Sequence, residues 1–188
     1  RNRILGGYFA GEIESVGADV TDWSPGTPVY GSCGLRMGAY GEYIVLKADG
    51  AFARKPANMS HEQAAAVPLG GLNGLHFMRK ARIVPGERVL ILGACGSIGA
   101  HAVQIAKSLG AHVTAVDRGP KADFAARLGA DEFIDYERDD FTRREARWDV
   151  IFDMVPTSNY AACVAKLNPR GRYPVSYTHL TLPTNGLV

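Results

Sequence analysis

Three glycines at a spacing of three, Gly93, Gly96 and Gly99, follow the apolar run Val89–Leu92 and open a helical pattern in the stretch V-L-I-L-G-A-C-G-S-I-G. A strand, a tight turn and a helix start of this kind suit a diphosphate. Such a group needs bare backbone amides and the positive end of a helix, with no side chain in between. Ser97 and Ile98, between the last two glycines, bring their amides to the same first turn. With Ala94 in the second place the pattern is G-x-x-G-x-x-G, looser than the usual G-x-G-x-x-G, so its weight comes from context. Part of that context is Asp117, which ends the next predicted strand eighteen residues after Gly99. At about that spacing an acid accepts hydrogen bonds from the ribose hydroxyls of NAD. Arg118, beside it, carries the charge that suits a 2′-phosphate instead.

The elements that must position these residues follow from periodicity. Gly- and Pro-rich sequence from Ile4 to Tyr43 carries short alternating stretches, Phe9–Val16, Val29–Gly31 and Glu42–Leu46. These predict antiparallel strands, with turns at Gly17, Pro25-Gly26 and Gly38–Gly41. Asn58–Ser60 with Glu62 and Gln63 predicts a helix N-terminus, and the helix that follows is expected to break near Pro68 and Gly70-Gly71. After Gly99, Val103, Ala106 and Leu109 share one helical face and Gly110 is the stop signal. Strands at His112–Val116, Phe133-Ile134 and Asp149–Val155 then alternate with helices at Lys121–Leu128 and Asn159–Leu167, and a further strand starts at Gly171. Short apolar strands alternating with helices predict an α/β fold with a doubly wound parallel sheet covered on both faces. Residues 1–68 form a β-rich unit and linker, and residues 69–173 the doubly wound unit.

From Val175 to Thr184 the text V-S-Y-T-H-L-T-L-P-T continues no pattern that precedes it. It reads as one frame of the transposase adapter used in shotgun sequencing libraries, so residues 174–188 are expected to be a non-native tail. The chain opens without Met, in mid-pattern, which predicts an internal fragment of a longer protein. Its 188 residues carry 21 basic and 19 acidic side chains without a basic patch, which argues against nucleic acid or an anionic membrane as partner. No apolar run approaches the ~20 residues of a membrane span. Cys33, Cys95 and Cys163 stand far apart and read as reduced thiols, hence a cytoplasmic setting.

Ordered blocks along nearly all of Ile4–Tyr173 resemble one family. They are I-L-G-G-Y-F-A-G-E-I-E-S-V-G, G-A-Y-G-E-Y at Gly38, K-P-A-N-M-S at Lys55, E-Q-A-A-A-V-P at Glu62, P-G-E-R-V-L-I at Pro85, A-V-Q-I-A-K-S-L-G-A at Ala102 and L-G-A-D-E-F-I-D-Y at Leu128. Together they resemble the medium-chain dehydrogenase/reductase superfamily, in its zinc-free quinone oxidoreductase and zeta-crystallin branch. The resemblance implies a Rossmann doubly wound sheet preceded by part of a GroES-like β-barrel, a homodimeric parent protein, and hydride transfer from NAD(P)H to a small-molecule acceptor, a quinone or an enone. Alcohol dehydrogenation or enoyl reduction on the same fold is the alternative chemistry, and dinucleotide binding without catalysis the alternative class.

Residue by residue, the resemblance adds Lys121 and Tyr136 as contacts to the 2′-phosphate of NADP. It adds Asn73, where the family commonly has Thr, near the nicotinamide, and Val155 in the loop by the nicotinamide ribose, where Pro156 replaces a usual Gly. Asp117 weighs against a 2′-phosphate and Arg118 and Lys121 for it, and the balance leans to NAD(H) with NADP(H) open. No catalytic residue is assigned, and Tyr8 and Tyr40 read as packing residues. Zinc-dependent members carry G-H-E where this chain has Gly7 and Tyr8, and Leu69 stands near the place of a ligand Cys, so no metal is expected. His61, His76, His101 and His112 read as helix and strand residues. Elemental analysis of the purified protein is therefore expected to find only traces of zinc, and near-stoichiometric zinc on which activity depends would overturn this reading.

Overall fold

The computed structural model describes residues 4–176, and the chain divides into two compact units, Arg1–Leu69 and Gly70–Val188. The first unit is a three-stranded antiparallel sheet, β1 (Tyr8–Glu12), β2 (Pro28–Ser32) and β3 (Phe52–Arg54), in that spatial order. Phe9 stands opposite Gly31, and Gly31 opposite Phe52. A side chain at Gly31 would lie 2.6 Å from the Phe52 Cα, so this crossing needs glycine. The expected turns form at Gly17 and Gly26, and between Gly38 and Gly41.

Two expectations fail in this unit. Glu42–Leu46 is not a strand: Val45 is 93% exposed and Tyr43 73%. Alternation predicts a strand only where a neighbouring strand takes the ladder, and β3 fills that place from a three-residue segment too short to show a period. The first strand also ends at Glu12, four residues short of Val16, which is exposed.

Helix α1 spans His61–Ala81. Its start is the expected cap: the Ser60 N–H donates to Gln63 Oε1 (2.9 Å) and the Gln63 N–H to Ser60 Oγ (3.2 Å). It does not break at Pro68, contrary to expectation. One proline removes one rung of the helical ladder, and the glycines beyond it serve packing. A Cβ at Gly70 would lie 2.8 Å from Ser97 Oγ, and one at Gly74 3.2 Å from the Ala102 nitrogen.

The second unit continues with β4 (Arg88–Leu92), α2 (Ser97–Ser108), β5 (His112–Asp117), α3 (Ala122–Arg127), β6 (Glu132–Asp135), β7 (Trp148–Asp153), α4 (Tyr160–Ala165) and β8 (Leu167–Arg172). The strands form one sheet in the order β6-β5-β4-β7-β8, every pair parallel. Val89, Ile91, Val113, Ala115, Val150 and Phe152 face one core with Met78, Ala102, Val103 and Ala106. Leu90, Leu92, Val116, Trp148 and Ile151 face the other with Cys163. This is the doubly wound α/β sheet, apolar on both faces. Leu109 departs from its expected face. It is the C-cap residue, exposed where the chain turns into Gly110 at φ +82°. The expected tail divides: Val175 bridges to Asp153 beside β7, and residues from Tyr177 on lie outside the described residues.

Arg172 locks the start of this unit to its end. Its guanidinium donates to both Glu87 carboxylate oxygens (2.6 Å each), to the Ala81 carbonyl (2.8 Å) and to the Arg82 carbonyl (3.1 Å), which caps the last turn of α1. The bond from Arg172 holds the Glu87 carboxyl below its ordinary value. A lowered folded pKa contributes stability above the unfolded pKa, and this is lost as pH falls through the folded value. Glu87→Gln is expected to cost about 2 kcal/mol at neutral pH in urea unfolding, with the difference closing as pH falls through the lowered folded pKa and the parent protonates. A pH-independent difference would show that the charge is not what holds the clamp.

Candidate functional site

The three glycines meet three different demands. Gly93 leaves β4 at φ +76°, a left-handed conformation that favours glycine. Gly99 is where α2 reaches the turn: a Cβ there would overlap the Gly93 carbonyl and lie 2.7 Å from the Ala94 Cα. Gly96, the N-cap residue of α2, has neither constraint in full. Its φ of −77° suits any residue, and a Cβ would meet only the Gly93 oxygen at 3.3 Å. No side chain caps α2; the Gly96 amide donates to the Gly93 carbonyl (3.0 Å), and the first-turn amides of Ser97, Ile98 and Gly99, with the positive helix end, lie beside the exposed Gly96 and Ser97.

Asp117, at the end of β5 and 5% exposed, holds this turn from below. One carboxylate oxygen accepts from the Cys95 N–H (2.9 Å); the other accepts from the Arg118 N–H (2.9 Å) and pairs with the Lys121 ammonium (2.9 Å). Burial alone would raise the Asp117 pKa, but Lys121 and the two amides outweigh it and hold the carboxyl below its usual range. Lys121 ends a 3-10 turn, Gly119–Lys121, that leads into α3. The Arg118 Nε donates to the Tyr136 hydroxyl (3.0 Å) and lies 3.8 Å from Glu137. Asp117, Arg118, Lys121 and Tyr136 thus share one corner beside the glycine turn. Cys95, within the turn, has its thiol pKa raised by burial and by the Asp117 charge.

On the other side of the turn, Val155 packs its Cγ2 3.4 Å from the position of a Cβ on Gly93. Asn73 lies half-buried on α1, between the two glycines that touch α2. His101 is engaged within α2, its Nδ1 2.8 Å from the Ser97 carbonyl. In the first unit Tyr40 does not pack as expected. It is 80% exposed, its ring edge over Gly6. Gly7, Tyr8 and Leu69 offer none of the sulfur, imidazole or carboxylate groups that zinc takes, so the ion does not fit there. Among the described residues no three His, Cys, Asp or Glu gather into a metal site, and no helix is long and apolar enough to cross a membrane.

Sequence reasoning passed over Asp153. It ends β7 fully buried, and its carboxylate accepts from the Val155 N–H (2.8 Å), the Ser158 hydroxyl (3.0 Å) and the Tyr173 hydroxyl. The signal was present, since D-V-I-F-D ends an apolar strand on an acid just as V-T-A-V-D does.

Two family models match this chain, one described as the alcohol dehydrogenase GroES-like domain over residues 2–58 and one as zinc-binding dehydrogenase over residues 97–176. A quinone oxidoreductase of Pseudomonas aeruginosa is 34% identical over 97% of this chain and 58% of its own length. The mitochondrial NAD(P)H oxidoreductase RTN4IP1 of Mus musculus is 35% identical over 70% of this chain and 35% of its own. The solved quinone oxidoreductase from Coxiella burnetii superposes with a TM-score of 0.83 at 30% identity, over 90% of this chain and 54% of that one. The chain therefore spans between about a third and three fifths of the length of these relatives.

The different demands on the glycines separate folding from binding. Gly96→Val is expected to keep the fold and to weaken NADH and NADPH binding by about tenfold or more in fluorescence titration, because the side chain fills the space over the amides. Gly99→Ala is expected to lower stability by about 2 kcal/mol or more. Unchanged affinity in a folded Gly96→Val protein would place the dinucleotide elsewhere.

Proposed function

This chain belongs to the medium-chain dehydrogenase/reductase superfamily, in its quinone oxidoreductase-like branch, and on that premise we propose that it is part of a zinc-independent NAD(P)H oxidoreductase whose acceptor is a quinone or an α,β-unsaturated carbonyl. The observation that carries this reading is the uncapped start of α2 over an open Gly96, flanked by the Asp117 corner. A reduced nicotinamide, when bound, supplies the hydride. The amides of Ser97, Ile98 and Gly99 hold the diphosphate, and Gly93 and Gly99 keep strand and helix close enough for those amides to converge. Gly7, Tyr8 and Leu69 offer no zinc donors to polarise an alcohol. This favours an acceptor already electron-poor enough to take a hydride.

The 2′ position is decided at Lys121. The lean toward NAD(H) treats Asp117 as a charge that repels a 2′-phosphate. In the folded chain that charge is paired with Lys121 at 2.9 Å, and Arg118 and Tyr136 are exposed beside it. Lys121 thereby offsets the repulsion, while the Asp117 charge still disfavours a dianion. The reading is dual use, with Lys121 setting the ratio.

Loss of NAD(P)H absorbance at 340 nm on adding a quinone or an enone is the expected result. Cofactor binding without loss on any acceptor would favour a binding module, and oxidation of an alcohol in place of acceptor reduction would favour the dehydrogenase alternative. Lys121→Ala is expected to weaken NADPH about fivefold at low salt and NADH about twofold or less, the gap narrowing as salt rises. Equal losses for both would show that Lys121 does not read the 2′ group.

A further inference from the structure

Asp153 is a fully buried carboxylate, and burying a charge is costly unless hydrogen bonds replace the lost water. An apolar residue would serve the core at less cost, so what the carboxylate holds is informative. One oxygen gathers the Val155 N–H and the Ser158 hydroxyl, and the Ser158 N–H donates to the Val155 carbonyl (3.0 Å), which closes the loop after β7 into a tight turn. The other oxygen takes the Tyr173 hydroxyl, just past β8. Burial, then Asp153, push the Tyr173 pKa far up, so the phenol stays a donor. Its ring meets Tyr160, at the start of α4, edge to face at 5.5 Å. Asp153 therefore ties loop, helix start and strand end to one point.

The strand order gives that point a position. β4 lies between β5 and β7, so the glycine turn after β4 has the Asp117 corner on its β5 side and the Asp153 loop on its β7 side. The loop lies beside the turn, where a Cβ on Gly93 would come 3.4 Å from the Val155 Cγ2. In an open parallel sheet a ligand lies across the carboxyl ends of the strands at the crossover of strand order. That crossover is here, between β4 and β7. If the β5 side takes the adenosine ribose, the β7 side receives the other half of the dinucleotide.

We propose that Asp153, with Ser158 and Tyr173, forms a positioning cluster that holds Val155 and Pro156 as a fixed wall for the nicotinamide riboside half of the cofactor. This rests on the oxidoreductase reading above. None of the three side chains need touch the cofactor; they act through the loop.

The test compares two probes on the full chain: the tighter-binding of NADH and NADPH, and ADP, which has the adenosine and diphosphate but no nicotinamide riboside. Ser158→Ala and Tyr173→Phe are expected to weaken the dinucleotide about tenfold and ADP less than about twofold. Ser158→Thr, which keeps the hydroxyl, is expected to restore the dinucleotide affinity. Equal losses for both probes would show general support of the fold, and unchanged affinity for both would show that the cluster positions nothing. Either result overturns the proposal and leaves the oxidoreductase reading standing. A parent chain that binds neither probe overturns that reading and this inference with it.

Discussion

At Gly99 the first turn of α2 comes so close to the Gly93 carbonyl that no Cβ fits between them, and the functional end of the doubly wound unit depends on that approach. It requires a strand that ends in a left-handed residue, a helix that starts without a side-chain cap, and a turn short enough to join them. The core follows from it. Because β4 is central, α2 can be drawn down onto it only if the sheet is apolar on that face and the helix presents small residues, which Ala102, Val103 and Ala106 supply. On the α1 side the same demand appears at Gly70 and Gly74, where backbone again approaches the start of α2. The beginning of one helix is thus confined from two directions by missing side chains.

Legibility in the sequence follows the same physics. The segment from β4 through β5 was readable because apolar runs, glycine spacing and a terminal acid act together over a short distance, and the structure places them nearly as expected. Alternation at Glu42–Leu46 misled because it records a capacity for pairing, not the presence of a partner. β3 escaped notice because three residues carry no period. Pro68 and the glycines of α1 looked like a break because local propensity speaks against them, but packing on α2 gives those glycines a use that propensity cannot see. At the site, the spacing of Gly93, Gly96, Gly99 and Asp117 was legible in the sequence, whereas Lys121 and Tyr136 came only from the family resemblance. The occupancy of the Asp117 carboxylate was not legible, since nothing in a linear text shows which amides a side chain meets.

That occupancy alters how the charge at this corner works. A free carboxylate would act on a ligand at full strength. One that already accepts from Cys95 and Arg118 and pairs with Lys121 is mainly a brace, and its influence on a ligand passes through the lysine. The brace also joins two segments, because the Cys95 amide belongs to the glycine turn and the Arg118 amide to the end of β5. A ligand that drew Lys121 away would leave the two amides in place, so the turn keeps its shape while the charge balance at the rim changes.

Among the described residues, the buried polar and charged side chains are Thr114, Asp117 and Asp153. Thr114 lies within the sheet and accepts from the Trp148 indole; the two acids stand at the carboxyl ends of the strands that flank β4. Each gathers backbone amides from the loop that follows a strand, Asp117 from Cys95 and Arg118, Asp153 from Val155. Loops at this edge cannot be pinned by apolar packing without filling the space a ligand needs. A buried carboxylate solves the problem from underneath, because it binds amides firmly and takes no room on the open side. The same economy of space accounts for the bare glycine at position 96 and for the absence of a side-chain cap on α2. Two charges buried beneath the rim keep its backbone in place, and the rim itself is left to amides, Arg118, Lys121 and Tyr136.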